Sequence, residues 1–234
     1  MTPDDGLAAV FEGPGRPFRR IGYPLRPPGP GAILVRVLLS TICGSDVHAW
    51  AGRRAFPVPG ILGLYSIAMA RAAGAASVVA LEAVPSRQVL ARRFGADAVL
   101  DPTALDADAL GAGVRAYAPR GGADVVIETC GVPVALPQGL SVLRVGGRLV
   151  TAGLVVPGAM VTLDASEIVR RCITMRGVHN YHPRHLVRAL DFVTDYRDRL
   201  PLGALVDATF PLAEAEGAFV AAAERRALRP AVMP

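Results

Sequence analysis

Gly63 to Arg87, GLYSIAMARAAGAASVVALEAVPSR, reads as a glycine turn, a helix, a short buried strand and an acid at the strand's end. Leu64, Ile67, Ala68 and Ala72 recur on one helical face, with Arg71 off it. Gly74 supplies a helix stop. Ser77 to Leu81 is an apolar run of strand length, and Glu82 follows it, 19 positions after Gly63. This order is the second half of a dinucleotide-binding βαβ unit. In such a unit the free N–H groups and dipole of the helix N-terminus attract a pyrophosphate, and the acid holds the ribose hydroxyls. Gly60 and Gly63 are therefore assigned to the phosphate turn and Glu82 to the ribose. An acid there repels a 2′-phosphate, which favours NAD over NADP. Arg87 is placed to flank the adenine or to soften that repulsion.

A full fingerprint begins with a buried strand and then G-x-G-x-x-G. The residues before Leu62 are instead GRRAFPVPGI, starting at Gly52. Gly60 and Gly63 reproduce the last two glycines, and Val58 stands where the first belongs. Two arginines and two prolines make a poor central strand, because proline cannot donate to the ladder. The first strand is central in the order 3-2-1-4-5-6 and pairs on both sides. Each buried backbone group left without a partner costs ~1–3 kcal/mol. Several per side rival the whole ~5–15 kcal/mol stability of a domain. Either another segment fills the slot, with Ala32 to Leu39 the best candidate, or the sheet is divided.

Downstream the pattern stays α/β. Helices are predicted over Ser86–Phe94, Asp106–Tyr117 (with Asp106 as cap), Val134–Leu143, Leu186–Tyr196 and Ala213–Glu224. Strands are predicted over Asp97–Leu100, Ala123–Glu128, Gly147–Ala152, Ile173–Val178, Leu205–Phe210 and Arg229–Met233. Ligands of open α/β sheets sit at strand C-terminal ends. Gly131 and Gly153, just past two such ends, are candidates to line a nicotinamide, or else ordinary turn glycines. Cys130 and Cys172 lie in mostly apolar runs and read as core. His179, His182 and His185 form H-x-x-H-x-x-H, but Pro183 interrupts the spacing and no carboxylate or cysteine joins them, so metal binding is disfavoured. Gly147 to Val156 is the stretch to watch for an intersubunit role.

Composition sets outer bounds. The chain has 234 residues, enough for one large or two modest domains. Hydrophobic residues make up 52% and aromatics 6%, so the core is built from Ala, Val and Leu. The 25 glycines and 20 prolines punctuate periodic segments and do not form tracts, which argues for turns and not disorder. The net charge of +5 is not arranged as a basic cluster interleaved with aromatics, so it reads as solvated faces and not as a nucleic-acid surface. Three widely spaced cysteines argue against a disulfide framework and for a reducing cytoplasm. Met1 to Gly6 carries two aspartates and no apolar core, so no signal peptide is read there. Ile61 to Leu81 is broken by Arg71 and Gly74, which excludes a membrane span.

Ala8 to Glu12 suggests a first strand and turn, Arg16 to Pro30 reads as extended coil, and Ala32 to Ser40, AILVRVLLS, reads as a strand. TICGSDVHAWAGRR follows directly. The stretch from Pro28 through Gly63, together with DVVIETCG and LRVGGRLVTAG downstream, resembles the medium-chain, zinc-dependent alcohol and polyol dehydrogenase family. The C-G-S-D-x-H segment after a strand is fairly specific, and the likeness spans the chain from AAVFEGPG to ALRPAVMP.

The resemblance implies a Rossmann-like doubly wound parallel sheet and a truncated GroES-like, β-rich catalytic part. Residues 1–60 would carry the catalytic part, 61–178 the NAD(P)-binding domain, and 179–234 the return to the catalytic domain. It also implies hydride transfer between an alcohol or its carbonyl and NAD, in a protein that is a homo-oligomer and binds no membrane or nucleic acid. By family, Cys43 matches a ligand of catalytic zinc, Ser45 the serine that contacts the substrate oxygen, and His48 the histidine that passes the proton to solvent. Zinc lowers the alcohol's pKa, and hydroxyl-to-imidazole transfer carries the proton away. Read singly, Cys43 is as readily a small buried hydrophobe and His48 a surface histidine.

The chain departs from the family where G-H-E is expected: Leu64 follows Gly63, and no G-H-E occurs. The structural-zinc cysteines and the other catalytic ligands are absent as well. The shortage is internal and amounts to roughly a hundred residues. Tight zinc at Cys43 is therefore not expected within one chain. A non-catalytic remnant that binds nucleotide or dimerises is the alternative.

Overall fold

The computed structural model describes residues 5–52, 61–155 and 157–234. It divides into two compact units, Met1–Gly60 with Leu202–Pro234, and Ile61–Pro201. The helix Pro183–Tyr196, expected in the returning segment, belongs to the second of these.

The first unit opens with β1 (Asp5–Val10) and β2 (Arg19–Pro24), paired antiparallel from Asp5↔Pro24 to Val10↔Arg19. The expectation of coil over Arg16–Pro30 is corrected here. The proline-rich stretch supplies a strand because Pro24 stands at the strand's end, where no interior ladder bond is lost. The expected strand over Ala32–Ser40 is also corrected. Only β3 (Ser40–Thr41) pairs, and Ile33 and Leu38 are 83% and 75% exposed. β-branched composition does not make a strand unless an edge is available to pair with. The run does not fill the missing slot among the described residues. Then comes α1 (Gly44–Trp50).

The second unit begins with α2 (Leu62–Ala72), whose Leu64, Ile67 and Ala68 are buried. Ala72 is exposed, contrary to the periodic reading. Arg71 is not idle either. Its Nε donates to the Gly95 carbonyl at 2.8 Å and its Nη1 to the carbonyls of Ala75 and Ala76, each at 3.3 Å. It also pairs with Asp97. The guanidinium thus ties the end of α2 to the entrances of the next two strands. Gly74, at φ +86°, ends the helix in the left-handed region that glycine tolerates.

There follow β4 (Val79–Leu81), α3 (Pro85–Arg93), β5 (Ala98–Leu100) and α4 (Ala107–Arg115), whose cap Asp106 accepts the Ala109 N–H at 2.8 Å. Then come β6 (Ala123–Glu128), α5 (Ala135–Val142), β7 (Leu143–Thr151), α6 (Ala165–Arg170), β8 (Thr174–Gly177) and α7 (Pro183–Tyr196).

Among the described residues the parallel sheet comes in two pieces, β4-β5 and β6-β7-β8. Among the described residues β4 and β6 are edges of these two pieces. A shared helical layer bridges the pieces. Leu110 and Val114 of α4 and Val142 of α5 pack with Val79 and Leu81 of β4, Leu100 of β5, and Ala123 and Val126 of β6. The parallel strands with helices between them are a Rossmann-like α/β arrangement.

Cys130 and Cys172 are exposed and not core. Cys130 sits in the loop after β6, and Cys172 turns at φ +50° between α6 and β8. Loop backbone needs the surface for its polar groups, and this outweighs the apolar run around each cysteine. The chain then returns to the first unit with β9 (Ala208–Pro211), α8 (Ala215–Ala223) and β10 (Pro230–Met233). β10 lies between β3 and β9. Ile42, Val47, Ala218 and Val232 form that unit's core, and Phe219 stacks obliquely with Phe18 at 4.9 Å and with Trp50 at 5.9 Å.

Candidate functional site

The C-terminal ends of β6 and β7 meet in a backbone contact that only glycine permits. Gly131 holds φ +71°, and a Cβ there would stand 2.7 Å from the Gly153 carbonyl oxygen. A Cβ on Gly153 would lie 2.5 Å from the Gly131 nitrogen. The two glycines predicted to share a site are therefore in direct contact. The α2 N-terminus faces the same loop: a Cβ on Gly63 would come within 3.1 Å of the Thr129 hydroxyl.

Glu128, the last residue of β6, binds the corner together. Its Oε1 accepts the Gly131 N–H at 2.6 Å. Its Oε2 accepts the Thr151 hydroxyl at 3.0 Å and the Gly153 N–H at 3.1 Å. The side chain is a buried carboxylate, 4% exposed. Beside Gly153, at the ends of β7 and β8, opens a cleft of about 360 Å³ lined by Thr151, Leu154, Val155, Gly177 and His179 among others. Although Cys130 keeps an exposed face, desolvation of its thiol by the surrounding loop pushes it up from its ordinary value, and the Glu128 carboxylate adds to the shift.

Glu82 directly follows β4, as expected. Its Oε1 accepts the Val84 N–H at 2.9 Å, and its carbonyl accepts the Gln88 side-chain amide at 2.9 Å. Arg87 lies half-buried in the first turn of α3. Gly60 lies outside the described residues, as does Val156 of the stretch flagged for an intersubunit role.

In the other unit, Cys43 caps α1 and its backbone N–H donates to the Asp46 carboxylate at 2.7 Å. Its Sγ is 2.6 Å from the Ser45 Oγ, and His48 lies in the helix's last turn. Among the described residues no group of three His, Cys, Asp or Glu side chains is arranged to hold a metal ion. One thiolate does not meet the three or four protein ligands that zinc takes, so the residues here do not fit a zinc centre. The three clustered histidines do other work. His182 accepts the Arg184 N–H at 3.3 Å as the α7 cap, His185 accepts from the Arg184 side chain at 3.4 Å, and His179 lines the cleft.

The zinc-binding dehydrogenase family model matches residues 62–195, more than half of the chain. The chain belongs to the zinc-binding dehydrogenase family. An L-threonine 3-dehydrogenase of Symbiobacterium thermophilum is 36% identical over 138 residues, covering 56% of this chain and 38% of the relative. The chain thus spans well under half the length of that curated family member. The crystal structure of an alcohol dehydrogenase from Thermotoga maritima shares the fold, with a TM-score of 0.90 at 19% identity, over 98% of this chain and 99% of that one. A Sinorhizobium meliloti structure described as a zinc-binding dehydrogenase bound to NADP is 28% identical, with a TM-score of 0.66, over 75% of this chain and 50% of that one.

Glu128, Thr129 and the cleft side of His179 were not picked out by sequence. The available signal for Glu128 was an acid closing the apolar run ADVVI directly before a glycine loop.

Proposed function

We propose that the chain descends from NAD-linked alcohol or polyol dehydrogenases of its family and keeps their dinucleotide site in residues 61–201. The observation that carries this is the Gly131–Gly153 contact, with the Gly63 end of α2 against the same loop. It lies at the strand C-terminal ends, where open α/β sheets take their ligands. The α2 N-terminus and Gly63, with Gly60 before it, receive the pyrophosphate. Glu82 takes the ribose hydroxyls and disfavours a 2′-phosphate, and Arg87 flanks the adenine. Gly131 and Gly153 let the nicotinamide end approach backbone. When bound, NAD supplies the hydride acceptor.

Cys43, Ser45 and His48 keep the family's ligand, oxygen-contact and proton-exit positions on α1, and an alcohol or its carbonyl is the substrate class. The described residues do not fit a zinc centre. Homo-oligomerisation follows the same family reading. No helix among the described residues is long and apolar enough to cross a membrane.

The test is a thermal melt with and without NADH. At a hundred times Kd, binding adds ~2.7 kcal/mol, which moves the transition upward by several degrees. A cooperative transition that does not move overturns the nucleotide reading. Zinc-dependent NADH formation from alcohols is expected to be absent for this chain. Turnover abolished by Cys43→Ala would overturn that expectation.

A further inference from the structure

Glu128 is the single charged side chain among the buried residues described, and it is not among the groups assigned to touch the dinucleotide. Its two carboxylate oxygens take three donors from two different loops: Gly131 N–H from the loop after β6, and Thr151 hydroxyl and Gly153 N–H at the end of β7. The Glu128 carbonyl adds the Ala152 and Gly153 N–H groups at 2.9 and 3.2 Å. The residue therefore grips both walls of the crevice at once. The gap it sets is tight, since neither Gly131 nor Gly153 has room for a methyl group. Every oxygen of the side chain already faces a protein donor. A role as proton acceptor from substrate would have to break one of these bonds, so the arrangement is that of a brace.

We propose that Glu128 is the positioning residue of the nicotinamide subsite: by tying the 129–131 loop to the end of β7 it fixes the crevice that receives the nicotinamide half of the dinucleotide. This rests on the nucleotide reading above. The ADP-ribose part is assigned to Glu82, Arg87 and the α2 N-terminus, none of which Glu128 bonds, so the two parts of the dinucleotide should respond differently.

The experiment compares NADH with ADP-ribose, which lacks the nicotinamide, by titration calorimetry on the full chain. Wild type, Glu128→Gln and Glu128→Asp are measured, with urea melts of each. Glutamine keeps the size but turns one acceptor into a donor facing N–H groups. Aspartate keeps the charge but shortens the reach. The expected result is that Glu128→Gln weakens NADH about tenfold, the scale of one lost charge-assisted hydrogen bond, and leaves ADP-ribose within about twofold. Glu128→Asp is expected to fall between wild type and Glu128→Gln. Equal weakening of both ligands, in proportion to lost stability, would make Glu128 a structural residue and overturn the proposal. Unchanged NADH affinity in Glu128→Gln would also overturn it, while leaving the nucleotide reading intact. If the wild type binds neither ligand, the nucleotide reading fails first and the proposal fails with it.

Discussion

The crevice at Gly131 and Gly153 and the helix that carries Cys43 and His48 hold their residues in opposite ways. The Gly131–Gly153 contact and its Glu128 brace lie within a short span of consecutive elements, from the end of β6 to the residues just after β7. Backbone contacts and one buried carboxylate hold that corner together. The helix α1 is just as well seated, with Val47 fully buried in its unit's core, yet its chemistry depends on ligands that other parts of the chain would have to bring. A site made by one supersecondary unit is complete when the unit folds. A metal site gathered from distant segments is complete only when all of them are present. The proposed split between a retained nucleotide subsite and an unfulfilled zinc site follows from that difference.

Core truncations give the largest effects and test whether the two regions are energetically separate. Leu149 of β7 is 1% exposed and packs with Leu136 and Leu143. Leu149→Ala is expected to cost ~2–5 kcal/mol and to weaken NADH binding, since β7 carries one wall of the crevice. Val47→Ala on α1 is expected to cost ~1–3 kcal/mol and to leave NADH affinity unchanged. Urea melts followed by NADH titration read both. NADH affinity that falls in Val47→Ala would break the comparison.

Arg71→Ala comes next, at ~1–3 kcal/mol, because it removes a guanidinium that serves Gly95, Ala75, Ala76 and Asp97 together. The same cluster has a pH signature. The Val78 N–H, and then Arg71, hold the Asp97 carboxyl below the usual carboxylate range. A depressed native pKa means that the contribution is fully present above the unfolded value near 3.8 and is lost as pH falls through the lower native value. Asp97→Asn is therefore expected to flatten the acid limb of stability below about pH 4, measured as urea midpoints across that range. An unchanged limb would show that the cluster does not couple α2 to the strands.

Much of the second unit was legible because its signals are local. Gly74 ends α2, Asp106 caps α4, and the apolar run at Ala123 to Glu128 is a parallel strand, each set by neighbours a few residues away. The gap before α2 was half legible: GRRAFPVPGI makes a poor central strand, but its composition left open whether Ala32–Leu39 would fill the slot. Long-range outcomes were not. Arg19 to Pro24 pairs only because β1 lies opposite it, and nothing in its own composition says so. Ile33 to Leu39 has strand composition but no edge to join. Cys130 and Cys172 sit in apolar runs, yet the turns around them face outward. The Glu128 brace needs three partners, two of which lie more than twenty residues downstream.

The smallest expected effect concerns that exposed run and sharpens the comparison from the side of the first unit. Ile33, Leu34, Val35, Val37, Leu38 and Leu39 are each between 43% and 83% exposed. An apolar, β-branched stretch without a pairing partner is a template for self-association. A side chain already in water loses little burial when it is replaced. The double substitution Leu34→Thr and Leu38→Thr should therefore change stability by about 0.5 kcal/mol or less. It should also lower light scattering at high protein concentration. A loss of ~2 kcal/mol or more would mean that these leucines are buried in solution, by a second copy or within the chain. The first unit would then be as fully packed as the second, and the contrast between them would rest on the metal ligands alone.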